Sequence, residues 1–136
     1  MDMQAPLPYL GGLSAEEFLR DYWQKKPLVV RGAFPELAYR LSPEDLMELA
    51  QEEGVEARIV LEQGKTPWEL LKGPFTAKAL KQMPATHWTL LVQAVDHYLP
   101  ELADYLDHFS FIPNWRIDDI MVSYAPEGGS VGPHYD

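Results

Sequence analysis

His134 and Asp136 stand two positions apart at the end of a stretch that reads as extended chain. On a strand, residues i and i+2 project to the same side. An imidazole and a carboxylate would therefore point together while Tyr135 faces the other way. Such a pair supplies two members of a two-histidine, one-carboxylate facial set. That set holds ferrous iron from one side and leaves the opposite side for a bidentate ligand and dioxygen. The spacing taken alone fits equally well a surface histidine beside a turn, followed by an unrelated acid.

The elements that would position this pair lie just upstream. Arg116 to Tyr124 predicts a long strand with unlike faces. Asp118, Ile120, Val122 and Tyr124 fall on one face, and Ile117, Asp119, Met121 and Ser123 on the other. Asp119, Met121 and Ser123 form the less apolar row and are the candidate lining of a cosubstrate and substrate pocket, with Ile120 and Val122 packing outward against helices. The alternative places Asp119 at a solvated sheet edge. Pro126-Glu127-Gly128-Gly129 and Gly132-Pro133 then make a turn-rich bend into His134. No Lys-Ser/Thr follows these glycines and the bend leads toward a strand, so a phosphate-binding loop is excluded.

Further back, Ser14-Ala15-Glu16-Glu17 is a capping box opening a helix whose apolar residues are Phe18, Leu19, Tyr22 and Trp23. Lys25-Lys26-Pro27 should end it, and Leu28-Val29-Val30 predicts a short strand. Ser42-Pro43 opens a second helix that stops at Gly54, with Leu46, Met47, Leu49 and Ala50 on its buried side. Val55 to Glu62 alternates as a half-buried strand. Gly64 and Pro67 mark a turn, and Trp68 to Leu71 is a candidate return strand. Thr76 to Met83 predicts a helix, Trp88 to Gln93 a strand, and Pro100 to Phe109 a helix carrying Leu102, Tyr105, Leu106 and Phe109. Helices and strands mixed without a regular βαβ rhythm indicate an α+β fold.

Composition narrows the chemistry. The chain has 136 residues, 46% of them hydrophobic and 12% aromatic, enough for one packed domain. Without cysteine there are no disulfides, thiolate metal sites or cysteine nucleophiles within it. Eleven Lys and Arg against 21 Asp and Glu give a net charge of −10, and the cations do not cluster beyond Lys25-Lys26. Direct nucleic-acid binding is disfavoured, because it rests on grouped cations. Acidity suits a basic protein partner through long-range steering, or simply keeps the protein in solution. The four tryptophans (Trp23, Trp68, Trp88, Trp115) are assigned to the core, and His87, His97 and His108 to structural or surface roles. No secretory leader is evident at the start and no apolar run approaches the roughly 20 residues of a membrane span, so a cytoplasmic protein is expected.

The run Trp115-Arg116-Ile117-Asp118-Asp119-Ile120-Met121-Val122-Ser123-Tyr124, continued by Gly128-Gly129 and Val131-Gly132-Pro133-His134-Tyr135-Asp136, resembles the JmjC-type cupin oxygenases. Among these it is similar to the bacterial ribosomal oxygenases. The likeness extends through Glu17 to Phe34 and through Trp88 to Asp96, in the family's order. It implies a double-stranded β-helix barrel whose first strands are fed by N-terminal helices and strands, with His134 and Asp136 as the first two iron ligands. It further implies Fe(II), 2-oxoglutarate as cosubstrate and O2, in an enzyme that hydroxylates an arginine of a basic large-subunit ribosomal protein. A homodimeric parent is part of the same implication.

Against that pattern, residues 1–136 correspond to the N-terminal part of the oxygenase domain. The later barrel strands, the third ligand, the basic residue for 2-oxoglutarate, and the dimerisation and winged-helix regions have no counterpart among them. The chain by itself is therefore expected to be a truncated piece without turnover. The competing function class is a non-catalytic module that binds a basic protein or assembles with another subunit.

Overall fold

The computed structural model describes residues 1–135, and the chain divides into two compact units. The first comprises Met1–Arg40 and Tyr105–Asp118, the second Leu41–Asp104 and Asp119–Asp136.

In the first unit, Ser14 accepts from the Glu17 amide while the Glu17 carboxylate accepts from the Ser14 amide, closing the capping box that starts α1 (Ala15–Asp21). The helix stops earlier than Pro27 requires. The amides of Lys25 and Lys26 both turn back to the Tyr22 carbonyl, and Gln24 adopts a left-handed φ of 61°. Leu28–Val30 forms no strand, because it finds no ladder partner and Val29 is left 76% exposed. Leu28 and Val30 instead line an open cleft of about 380 Å³ with Tyr9, Phe18, Tyr22 and Trp23. An aromatic cluster organises this unit. Tyr9 stacks on Phe34 at 5.5 Å, His108 tilts against both rings, and Tyr105 meets Phe34 edge-on. The Tyr9 hydroxyl donates to the His108 carbonyl at 2.8 Å, and burial pushes the Tyr9 pKa up.

The second unit holds a four-stranded antiparallel sheet in the order β2-β1-β3-β4, built from β1 (Ala57–Gln63), β2 (Pro67–Lys72), β3 (Trp88–Val92) and β4 (Val122–Tyr124). The register places Val122, Val92 and Ala57 in one row, Tyr124, Leu90, Ile59 and Leu71 in the next, and Trp88 beside Leu61 in a third. These rows share a face, and Ile59, Leu90 and Val92 on it are fully buried. Leu46, Leu49 and Ala50 of α2 (Pro43–Leu49) and its C-terminal turn, Leu80 of α3 (Ala77–Lys81) and Leu102 of α4 (Pro100–Asp107) complete the buried core. Ser42 caps α2 with Asp45 as its reciprocal partner, a capping box written with an aspartate. The α+β expectation is met, and the expected return strand pairs with β1.

The long strand expected over Arg116–Tyr124 is shorter. Asn114–Arg116 is a 3-10 turn, and only Val122–Tyr124 joins the sheet. β3 ends at Val92, and the chain turns through Ala94 at φ 56°. The polar groups of Ile120 then go to that turn rather than to a ladder: its carbonyl accepts from the Val95 amide and its amide donates to the Asp96 carboxylate, each at 2.9 Å. Tryptophan placement also departs from expectation. Trp88 is buried, but Trp68 is 47% and Trp115 is 81% exposed. Trp115 faces the Arg116 guanidinium at 5.5 Å, and Trp23 faces it at 4.9 Å. No helix of the described residues is long and apolar enough to cross a membrane.

Candidate metal centre

The approach to His134 is fastened residue by residue to the start of β3. The His87 amide donates to the Glu127 carbonyl at 2.9 Å. At Gly128 (φ 75°), a β-carbon would fall 2.6–2.8 Å from the His87 ring. One residue on, a β-carbon at Gly129 would overlap the Trp88 carbonyl oxygen. Next, the Thr89 hydroxyl donates to the Ser130 carbonyl at 3.4 Å. Residues 127–130 thus run against residues 87–89, and the two glycines are where backbone must approach that closely.

The turn then closes on itself. The Gly132 amide donates to the Ser130 hydroxyl at 2.9 Å, and Gly132 takes φ 75°. The His134 Nδ1 lies 2.8 Å from the Gly132 carbonyl oxygen. A carbonyl can only accept, so Nδ1 carries the proton and, in the neutral ring, Nε2 carries the lone pair. Metal-ligating histidines are oriented this way: a backbone acceptor fixes the tautomer and turns the other nitrogen into the donor. The donor chemistry at His134 therefore fits a divalent metal ion. Asp136 lies outside the described residues. Residues 131–135 form no strand, and among the described residues no group of three or more His, Asp or Glu is gathered around a metal position.

Of the other sequence-derived residues, Ser123 lies on β4, on the face that carries the buried Leu91 and Thr89, and Asp119 and Met121 precede that strand. Ser123 pairs with Leu91, which pairs with Arg58, and Thr89 lies two residues away on the same side. The Ser130 contact to Thr89 runs across this face. Met121 is 45% exposed, with its sulfur 3.9 Å from an Arg58 guanidinium nitrogen. The Asp119 carboxylate accepts from the Gln93 side chain at 2.7 Å, and Gln93 follows Leu91 on that side. Val122 is half-buried toward the core, as expected. The remaining histidines keep structural company: His87 packs on the Gly128 turn, His97 sits 3.8 Å from the Asp96 carboxylate, and His108 belongs to the aromatic cluster. Sequence reading missed Trp68, His87 and Thr89 as supports of the bend. The three glycines were the visible signal, but their partners lie about 40 to 60 residues away in the chain.

The chain aligns with the "Probable ribosomal oxygenase" of Haemophilus influenzae at 48% identity over 124 residues. The chain is a relative of the JmjC-type ribosomal oxygenases. With the "Ribosomal protein uL16 3-hydroxylase" of Escherichia coli it is 41% identical over 125 residues. Each alignment covers 91% of the chain, and the chain spans about a third of the length of these curated relatives. Solved structures of YcfD, a ribosomal oxygenase from Escherichia coli, superpose with a TM-score of 0.81 at 39% identity, covering 91% of this chain and 34% of that one. They include complexes of YcfD with cobalt and 2-oxoglutarate and with cobalt and succinic acid. No protein-family profile matches the chain.

Proposed function

We propose that this chain forms the front part of an Fe(II)- and 2-oxoglutarate-dependent protein hydroxylase acting on an arginine of ribosomal protein uL16. His134 and Asp136 are its first two iron ligands, with the third from outside these 136 residues. Ferrous iron, with 2-oxoglutarate and O2, would supply the oxidising power. One oxygen atom enters the target C–H bond, the other enters succinate, and carbon dioxide leaves. The chain's own residues do the positioning. The sheet forms one wall of a cupin barrel, the clamped bend aims His134, and Asp119, Met121 and Ser123 line the wall facing cosubstrate and substrate.

The observation that carries this reading is the hydrogen bond from His134 Nδ1 to the Gly132 carbonyl, which prepares Nε2 for a metal. The relationship to a uL16 3-hydroxylase supports the substrate class. Charge agrees with it. The second unit carries five Lys and Arg against fourteen Asp and Glu, so it holds −9 of the chain's −10. That field attracts a basic ribosomal protein and repels nucleic acid. A cytoplasmic homodimer is part of the proposal. The test is to incubate the longest natural form of the protein with Fe(II), 2-oxoglutarate and uL16 peptides, and to read peptide masses. A gain of one oxygen atom on an arginine is expected; no gain on any arginine-containing uL16 peptide would overturn the substrate assignment.

A further inference from the structure

Two non-glycine residues beside the bend, Trp68 and His87, take left-handed backbone, and Trp68 is the one next to Gly132. It sits on the edge strand β2 with 47% of its surface exposed, so apolar burial alone does not hold it. Its φ of 61° is left-handed, a region a bulky side chain avoids. Leu61 pairs with Glu69 and Gln63 with Pro67, so Trp68 lies opposite Glu62, whose amide continues the β1–β3 register by donating to the His87 carbonyl. Strained backbone of this kind persists where surrounding structure fixes it, and it concentrates at functional sites.

The indole is held over Gly132. The three atoms nearest to a β-carbon built on Gly132 are all of the Trp68 ring, at 3.4, 3.5 and 3.6 Å. Gly132 is also the residue whose carbonyl accepts from His134 Nδ1, and its amide is tied to the Ser130 hydroxyl. The carbonyl belongs to the Gly132–Pro133 peptide, and because the proline ring fixes φ at 133 it can turn only about Gly132 itself, which has no side chain to resist. Rotation would carry the carbonyl away from the imidazole and let the proton move to Nε2, which would then no longer be a donor to metal. The ring blocks that movement from one side while the Ser130 contact ties the other end.

We infer that Trp68 is a positioning residue for the metal ligand His134, acting through Gly132 by keeping the carbonyl aimed at Nδ1. This rests on the reading of His134 as a ligand. The test uses the longest natural form of the protein and the variants Trp68→Ala, Trp68→Leu, Trp68→Phe and His134→Gln. Nitrogen-15 NMR of labelled histidine, metal-free and at mildly alkaline pH, reports the His134 tautomer, identified by its loss in His134→Gln. Titration with Co(II) alone reports affinity.

The wild type should show Nδ1 protonated. Trp68→Ala should show a mixture of tautomers and bind Co(II) about tenfold or more weakly. Trp68→Phe should lie closer to the wild type than to Trp68→Ala in both measurements. Circular dichroism checks folding, and Trp68→Leu takes the place of Trp68→Ala if the alanine variant does not fold. Wild-type tautomer and Co(II) affinity in the folded Ala or Leu variant would overturn the inference. Unchanged Co(II) affinity in His134→Gln would instead overturn the ligand assignment, and the tautomer measurement would still decide the role of Trp68.

Discussion

Gly129 passes so close to Trp88 that a β-carbon on the glycine would overlap the tryptophan carbonyl oxygen. That oxygen belongs to β3, which is buried along its whole length and is paired on both sides by β1 and β4. The contact fixes where the bend leaves the sheet, and so where His134 begins its approach.

Gly129→Ala should therefore lower stability by about 1–3 kcal/mol, the usual range for forcing an extra carbon into packed surroundings. Gly64→Ala makes the comparison. A β-carbon there meets only the Glu69 side chain, whose carboxylate can swing aside while its Cβ, 2.9 Å away, must give slightly, so its cost should be smaller than a clash with backbone. Urea denaturation of the two variants checks the order. Equal midpoints would show that the bend can leave the β3 backbone without penalty.

Buried and exposed side chains around β4 should answer differently to truncation. Leu90 is fully buried between Ile59 and Tyr124, and Leu90→Ala should cost about 2–5 kcal/mol. Met121, just before β4, is 45% exposed, and Met121→Ala should stay within about 0.5 kcal/mol. A large loss for Met121→Ala in thermal melting would mean that Met121 is packed as core.

Arg20 grips the Asp21 carboxylate with Nε at 2.9 Å and Nη2 at 2.8 Å, and this hydrogen bonding holds the Asp21 pKa below its ordinary 3.8. A depressed folded-state pKa means stabilisation that is present above 3.8 and is lost as pH falls through the lower, folded value. Both side chains are largely in water, so the contribution is screened and small. Carbon-13 NMR titration should find Asp21 below 3.8 in the wild type and back near it in Arg20→Gln. An Asp21 that titrates at its ordinary value with Arg20 present would contradict the pairing.

Much of this was legible in the residues. The Ser14 and Ser42 caps, the alternation of Ala57, Ile59 and Leu61, and the placement of Leu102 follow from local periodicity, and each formed where it was expected. Leu28–Val30 and Ile117–Met121 carry strand-like composition but no ladder, because strand formation needs a partner that local sequence does not name. Trp68 and Trp115 read as core by type, yet one covers Gly132 and the other a guanidinium. The pair His134 and Asp136 was visible as spacing. What lay beyond reach was the hydrogen bond between His134 Nδ1 and the Gly132 carbonyl, which involves a left-handed glycine in a bend held against β3.

The most direct measurement is the visible absorption spectrum during anaerobic titration of the longest natural form with Fe(II) and 2-oxoglutarate. A charge-transfer band should grow in the wild type and persist in His97→Ala and His108→Ala, while His134→Ala and Asp136→Ala should abolish it. A band of undiminished intensity in His134→Ala would contradict the assignment of His134 as an iron ligand, and with it the hydroxylase account.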